Sequence, residues 1–270
     1  MKKFICIILA LAVLLSLCSC TGIKNLPDGT ATSSAGGSSR PSLDSVNDKR
    51  ELKDENGRTV YIVQGTVPQF SGGTGYPTDT VNSTVKAIFV NSVNEAKMNI
   101  ANAAEFMDSQ GSSEPWSTKI DYELKYLDEN IASFVCNILF SYFGPDAAIP
   151  SQEAVGCCVD LRTGERLSLL SFAVGDKDEA RERLTAIIQE KAAANFFPGR
   201  EMTAEELQLL ADSFDENDFW YKDGKFCYFI DRALISVSGS DFGGSVVASD
   251  FYVCELTASD YAGLLSLDRQ

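Results

Sequence analysis

Residues 120–170, IDYELKYLDENIASFVCNILFSYFGPDAAIPSQEAVGCCVDLRTGERLSLL, decide the fold. At the start of this stretch, apolar residues alternate with polar ones at Ile120, Tyr122, Leu124 and Tyr126. A period of two is typical of a strand with one face in water and the other in a core. The stretch therefore opens with a half-buried strand.

Two further strands follow in the same stretch. A polar turn at residues 128–130 leads into a second run, and its apolar face is predicted to hold Phe134, Cys136, Ile138, Phe140 and Tyr142. A third run, residues 155–161, ends in a turn at residues 162–165, where Gly164 suits a positive φ. The first two strands form a hairpin, and a loop broken by Gly144, Pro145 and Pro150 leads to the third, so three adjacent antiparallel strands are predicted.

The first twenty residues predict export. Lys2 and Lys3 precede an apolar run, residues 4–17, which is too short to span a bilayer and has the length of a signal-peptide core. Residues 17–20, Leu-Cys-Ser-Cys, resemble the lipobox of bacterial lipoproteins, in which a peptidase cuts before a Cys that receives lipid. We expect a signal peptide at 1–19 and lipidation of Cys20, on the extracytoplasmic face of the cell membrane. The alternative is an ordinary signal peptide with a chance Cys.

Residues 20–57 read as a tether. They are rich in Ser, Gly and Thr and lack apolar periodicity, so they predict a flexible linker rather than a folded element. About thirty such residues would have a root-mean-square reach on the order of 30 Å.

The rest of the chain, residues 58–270, predicts an α+β extracytoplasmic domain in which an antiparallel sheet packs against two to three helices. It is read as one domain or as two packed halves divided near residues 145–175. An edge strand is expected at residues 58–70, ended by Pro68, and a long amphipathic helix at residues 79–107.

Later elements are predicted from their caps and turns. Asp176 and Thr203 each stand three residues before a Glu, which is the spacing of a helix-capping pair. Asp223-Gly224 lies between aromatic runs and predicts a hairpin. A last strand should end at residue 256, followed by a short helix capped by Thr257.

Composition narrows the function. Without residues 1–19 the chain has 21 Lys+Arg against 38 Asp+Glu, a net charge of −17, which argues against binding nucleic acid and favours a basic partner. The alternative is that acidity only keeps the protein soluble. The chain has no His, which removes the commonest nucleophile-activating base and zinc ligand. We expect no enzyme activity, no cofactor and no metal, since the acids between residues 201 and 218 lack the order of a calcium loop.

Five cysteines fall in the domain, and they occupy apolar strand contexts: Cys136, Cys157, Cys158, Cys227 and Cys254. Most of them are expected to be small buried side chains, with at most one or two disulfides.

Several of these segments resemble a known family. Residues 160–169, the hairpin at residues 219–229, residues 67–70 (Val-Pro-Gln-Phe) and Asn82 look like the extracytoplasmic RsiV-like domain. This domain is shared by lysozyme-sensing anti-sigma factors and by the accessory region of some peptidoglycan deacetylases. The resemblance spans about residues 60–265 and implies a sensing or wall-associated domain, here as a stand-alone lipoprotein.

The chain departs from that family at one loop. Family members typically follow the Tyr of the second long strand with Gly-Gly-Ala-His, whereas residues 145–148 here are Pro-Asp-Ala-Ala. No cytoplasmic sigma-binding region precedes the domain, so we do not expect sigma-factor sequestration.

The sequence thus predicts a non-catalytic binding or sensing module of the cell envelope. Its expected partner is a basic, lysozyme-type protein or a peptidoglycan fragment, and its membrane contact is the lipid anchor. The alternative is a wall-active enzyme or an accessory subunit of peptidoglycan modification. Loops on a rigid sheet are the usual place of recognition, so Asp146, Asp241 and Phe242 are predicted as ligand-binding residues.

Overall fold

Two sheets and four helices make up the described chain. The structure is a computed structural model that describes residues 40–141, 151–195, 201–231 and 251–267. These residues belong to one compact unit, Ser38–Gln270. The architecture is mixed α+β, as the sequence predicts. Within the described ranges no helix is both long enough and apolar enough to cross a membrane.

The first sheet has six strands in sequence order. They are β1 (Ser42–Lys53), β2 (Thr59–Ser71), β3 (Trp116–Leu127), β4 (Ile131–Ser141), β5 (Ser151–Asp160) and β6 (Arg166–Leu167). All neighbours are antiparallel except β2 and β3, which are parallel. Helices α1 (Thr78–Met98) and α2 (Ile100–Gln110) connect β2 to β3, and a helical crossover is what allows parallel pairing. The three predicted antiparallel strands are therefore confirmed, within a larger mixed sheet.

The second sheet has three antiparallel strands, β7 (Phe219–Lys222), β8 (Lys225–Asp231) and β9 (Phe251–Leu256). A 3₁₀ turn (Leu169–Phe172) and two helices, α3 (Lys177–Asn195) and α4 (Ala204–Asp212), precede it.

Strand β4 is buried on both faces, because two hydrophobic clusters meet at the first sheet. Phe134 belongs to the cluster beneath α1, whereas Ile131 belongs to the cluster shared with α3 and the second sheet. The sequence predicts only one apolar face for β4. The second face is covered by strands that lie about ninety residues further along the chain, so the local sequence pattern of β4 does not predict that this face is buried.

Local signals are confirmed where the sequence predicts turns and caps. Asp128 Oδ1 accepts from the backbone N–H groups of Asn130 and Ile131, which fixes the β3–β4 turn. Asp176 caps α3, and Thr203 forms a reciprocal capping box with Glu206 at α4.

The predicted linker is wrong at its C-terminal end, because Ser42–Lys53 forms strand β1 along the whole length of β2. Strand β1 has no apolar stripe, so periodicity misses it. Backbone pairing to β2 makes it a strand, and that pairing is invisible in the sequence.

Three other predictions are corrected. Strand β2 is an inner strand, not an edge strand, and it continues past Pro68 to Ser71. Its parallel pairing with β3 ends at Thr66, two residues before Pro68, so the missing N–H of the proline is tolerated. The long helix is divided at Asn99 into α1 and α2. Residues after Thr257 form turns instead of a helix.

Candidate functional site

Asn82 ties helix α1 to the end of β2. Its Oδ1 accepts from the Phe70 backbone N–H (2.7 Å), and its Nδ2 donates to the Phe70 carbonyl (2.9 Å). The amide thus replaces a neighbouring strand beyond Thr66, where the pairing of β2 with β3 stops. The two N-terminal pieces of the family-like motif, residues 67–70 and Asn82, are therefore in direct contact and hold the scaffold together.

The family-like turn that follows β5 docks on the same helix. The buried Asp160 closes it by accepting at Oδ1 from the Arg162 backbone N–H (2.8 Å). Thr84 Oγ1 donates to the Gly164 carbonyl (2.6 Å), and a Cβ at Gly164 would lie 2.6 Å from Thr80 Cγ2. With φ at +77°, only glycine fits this position comfortably. This motif, too, serves the fold.

The β7–β8 hairpin joins the two sheets. Asp223 (φ 49°) and Gly224 (φ 78°) both have positive φ, as a tight hairpin turn requires. The Tyr221 backbone N–H donates to Ser133 Oγ on β4 (2.9 Å), and Gly156 on β5 leaves no room for a side chain against the Phe219 carbonyl. The absent side chain lets the strands of the two sheets approach closely.

Strands β4 and β8 run in the same direction. Tyr221 contacts Ser133, whereas Phe219 lies against Gly156, which pairs with Val135. Strand β7 therefore runs opposite to β4. Since β8 is antiparallel to β7, it runs with β4, and both strands end at the same end of the compact unit.

We call this end the loop end. It is where β4 and β8 finish, so the connections 142–150 and 232–250 both start there. The predicted ligand-binding residues and the lipidation site lie outside the described residues: Asp146, Asp241, Phe242 and Cys20.

An aromatic cluster on the described chain lies beside the strands that lead to the loop end. The Trp220 ring stacks on Phe229 at 5.8 Å between centroids, and Lys125 Nζ is 5.3 Å from the Trp220 ring centre. Phe229 packs against Val135 and Ala154. The sequence does not predict this cluster, because its members come from five strands and meet only in the folded chain.

Two solved structures are similar to this chain. A crystal structure of a DUF3298 family member from Bacteroides fragilis matches with a TM-score of 0.54 and 14% sequence identity, over 84% of this chain and 94% of that chain. The two proteins share a fold. A DUF3298 family protein from Pseudomonas aeruginosa gives a TM-score of 0.48 at 13% identity, over 85% of this chain and 96% of that chain. No protein-family model and no curated protein matches the sequence.

A groove of about 320 Å³ runs along β9. It is lined by Tyr252, Val253, Cys254 and Glu255, together with Thr257 and Lys191 of α3. Lys191 pairs with Asp260 at 2.9 Å. Burial alone would raise the pKa of Asp260, but hydrogen bonds from Thr257 and Lys191 outweigh it and hold that pKa below its usual value.

The five predicted cysteines are all buried thiols. Burial raises the pKa of Cys157, Cys227 and Cys254 to about 11, and raises that of Cys136 well above its usual value. A thiol that stays protonated is a poor nucleophile and a poor metal ligand. All five cysteines are packed as small buried side chains, as predicted for most of them.

Two buried acids also have structural roles. Glu206 completes the capping box of α4, and Asp160 closes the turn after β5. Over the described ranges, no three His, Cys, Asp or Glu side chains are grouped closely enough to hold a metal ion.

Proposed function

We propose that this protein is a lipid-anchored, extracytoplasmic lipoprotein that binds or senses a ligand of the cell envelope without catalysing a reaction. The observation that carries the proposal is the shared direction of β4 and β8, because of which the β4–β5 and β8–β9 connections leave the two-sheet scaffold toward the same end. Irregular segments held by a rigid sheet are the usual recognition surfaces of proteins.

The roles of the family-like residues support a binding module. Asn82, Asp160, Gly164 and the β7–β8 hairpin all hold elements together. They are used in packing and backbone hydrogen bonds, which leaves recognition to other segments. The RsiV-like resemblance of the sequence supports a sensing domain, whereas the DUF3298 structure shares the fold alone.

A basic partner fits the charge of the molecule. Residues 201–218 carry seven Asp or Glu and no Lys or Arg. Elsewhere on the surface, exposed lysines of the first sheet are neutralised by acids on the same strands, as in the Lys119–Asp121 pair of β3 and the Lys49–Glu51 pair of β1. We propose a lysozyme-type enzyme or a peptidoglycan fragment as the ligand, and the acidic segment favours the basic protein.

Direct binding tests the proposal. The chain without residues 1–19 is immobilised and exposed to a cationic lysozyme and to a panel of muropeptides, and release of soluble sugar is measured in parallel. Saturable binding of either ligand without turnover supports a binding module. Turnover of the muropeptides would instead establish a wall-active enzyme, and failure to bind either ligand would reject the proposal.

The anchor has its own test. Cys20→Ala should abolish palmitate labelling and leave the signal peptide attached, because the lipoprotein peptidase requires the lipidated Cys. Labelling that persists in Cys20→Ala would refute the anchor at this position.

A further inference from the structure

Strand β1 belongs to the sheet but adds almost nothing to the cores. None of its twelve residues is buried, whereas seven of the eleven residues of β4 are. Half of β1 is charged, at Asp44, Asp48, Lys49, Arg50, Glu51 and Lys53. A strand of this composition exposes little apolar surface when it leaves the sheet.

Besides its twelve-pair backbone ladder with β2, strand β1 is held by side-chain hydrogen bonds of Ser42 with Ser71 and of Thr66 with Asn47, and by a few contacts with the rest of the unit. Asp48 forms an ion pair with Lys86 of α1 at 2.7 Å, and Pro41, just ahead of the strand, is buried. Leu43 and Leu52 are half-buried against the α1 cluster. Few buried apolar contacts together with many solvent-exposed backbone hydrogen bonds are the features of a segment that opens locally.

We propose that β1 is a detachable strand, held by Pro41 and the Asp48–Lys86 pair, whose release lengthens the membrane tether while both hydrophobic cores stay folded. Its use as a tether rests on the proposed lipid anchor at Cys20. Twelve residues in extended form add about 40 Å of reach. Because β1 lies between the predicted linker and β2, its release would increase the distance between the membrane and the folded unit without changing the packing of the loop end.

Hydrogen–deuterium exchange on the full chain tests the release. Amides of residues 42–53 should exchange on the order of 100-fold faster than those of β4, because they open without global unfolding. Asp48→Asn should speed β1 exchange further. The matched control Asp121→Asn removes an exposed ion pair with Lys119 on β3 and should leave β1 unchanged. Exchange of β1 at the rate of β4 would overturn the proposal.

A second variant asks whether the cores need β1. Val46 is 51% exposed in mid-strand, and Val46→Pro breaks the ladder with β2. The near-ultraviolet circular dichroism of the buried aromatic residues and the main unfolding transition should persist. Loss of both would show that β1 is integral to the fold. Neither measurement uses a membrane or a ligand, so their failure is separate from failure of the anchor or of binding.

Discussion

Single residues in this protein matter most where they join distant elements. Both polar atoms of the Asn82 amide form hydrogen bonds with the Phe70 backbone, which links α1 to β2. Asn82→Ala should destabilise the protein by about 1–3 kcal/mol, because it leaves a buried N–H and a buried carbonyl unsatisfied. Urea unfolding measures the change.

Asn91→Ala on the same helix is the control for Asn82. Asn91 is exposed, so its loss should change the free energy of unfolding by no more than about 0.5 kcal/mol. Since Asn→Ala raises helix propensity at both positions, equal changes in the free energy of unfolding would refute a stabilising contact between Asn82 and Phe70.

Gly57 and Gly164 together separate the cost of a left-handed backbone from the cost of a steric clash. Gly57 and Gly164 have nearly the same φ, +80° and +77°, but only Gly164 has a neighbour, Thr80, in the space of a Cβ. Gly57→Ala should cost about 1–2 kcal/mol from the left-handed backbone alone. Gly164→Ala should cost about 1–3 kcal/mol more, because α1 must also move. Thermal unfolding of both variants gives the difference, and identical values would refute close docking of the turn on α1.

At the scale of elements, the interface between the two sheets depends on Gly156. A Cβ there would collide with the carbonyl oxygens of Phe219 and Asn217. Gly156→Ala should cost about 3 kcal/mol, and the rigid backbone of β7 leaves little room for relief. We expect near-ultraviolet circular dichroism to weaken more than the far-ultraviolet signal. A variant as stable as the native protein would contradict the described approach of β5 and β7.

The elements show which signals the sequence carries. Turns and caps are predicted because Asp128, Asp176, Thr203 and Asp223-Gly224 act on backbone groups within a few residues. Strand β1, the parallel pairing of β2 with β3 and the second buried face of β4 depend on partners far along the chain. Periodicity reports burial and contains no information on which element does the burying.

At the scale of the whole molecule, composition and charge can be read from the sequence, whereas the spatial arrangement of the strands cannot. The absence of His and the acidic charge can be read directly, whereas the shared direction of β4 and β8 follows only from the Ser133–Tyr221 contact. Asp146 and Phe242 lie outside the described residues, so their role stays a prediction. The cluster of Trp220, Phe229 and Lys125 on the described chain has no signal in the sequence.

Charge and contact should act on different rate constants if a cationic lysozyme is the ligand. The exposed acids Glu205 and Asp212 add to the field of the acidic segment, so Glu205→Gln with Asp212→Asn should lower the association rate at low salt and lose that effect at high salt. Asp146→Ala and Phe242→Ala should instead speed dissociation and weaken binding by about 1–2 kcal/mol without changing the melting temperature.

Surface plasmon resonance at two salt concentrations separates these effects. Glu114→Gln removes one exposed negative charge from the connection between α2 and β3, so it controls for net charge alone. If residues 201–218 steer the ligand, removing one of their charges should lower the association rate more than Glu114→Gln does. If all charge variants slow association in proportion to charge, the field of the whole molecule attracts the ligand. If the two loop variants dissociate at the native rate, recognition does not involve these residues, and the aromatic cluster around Trp220 becomes the next surface to mutate.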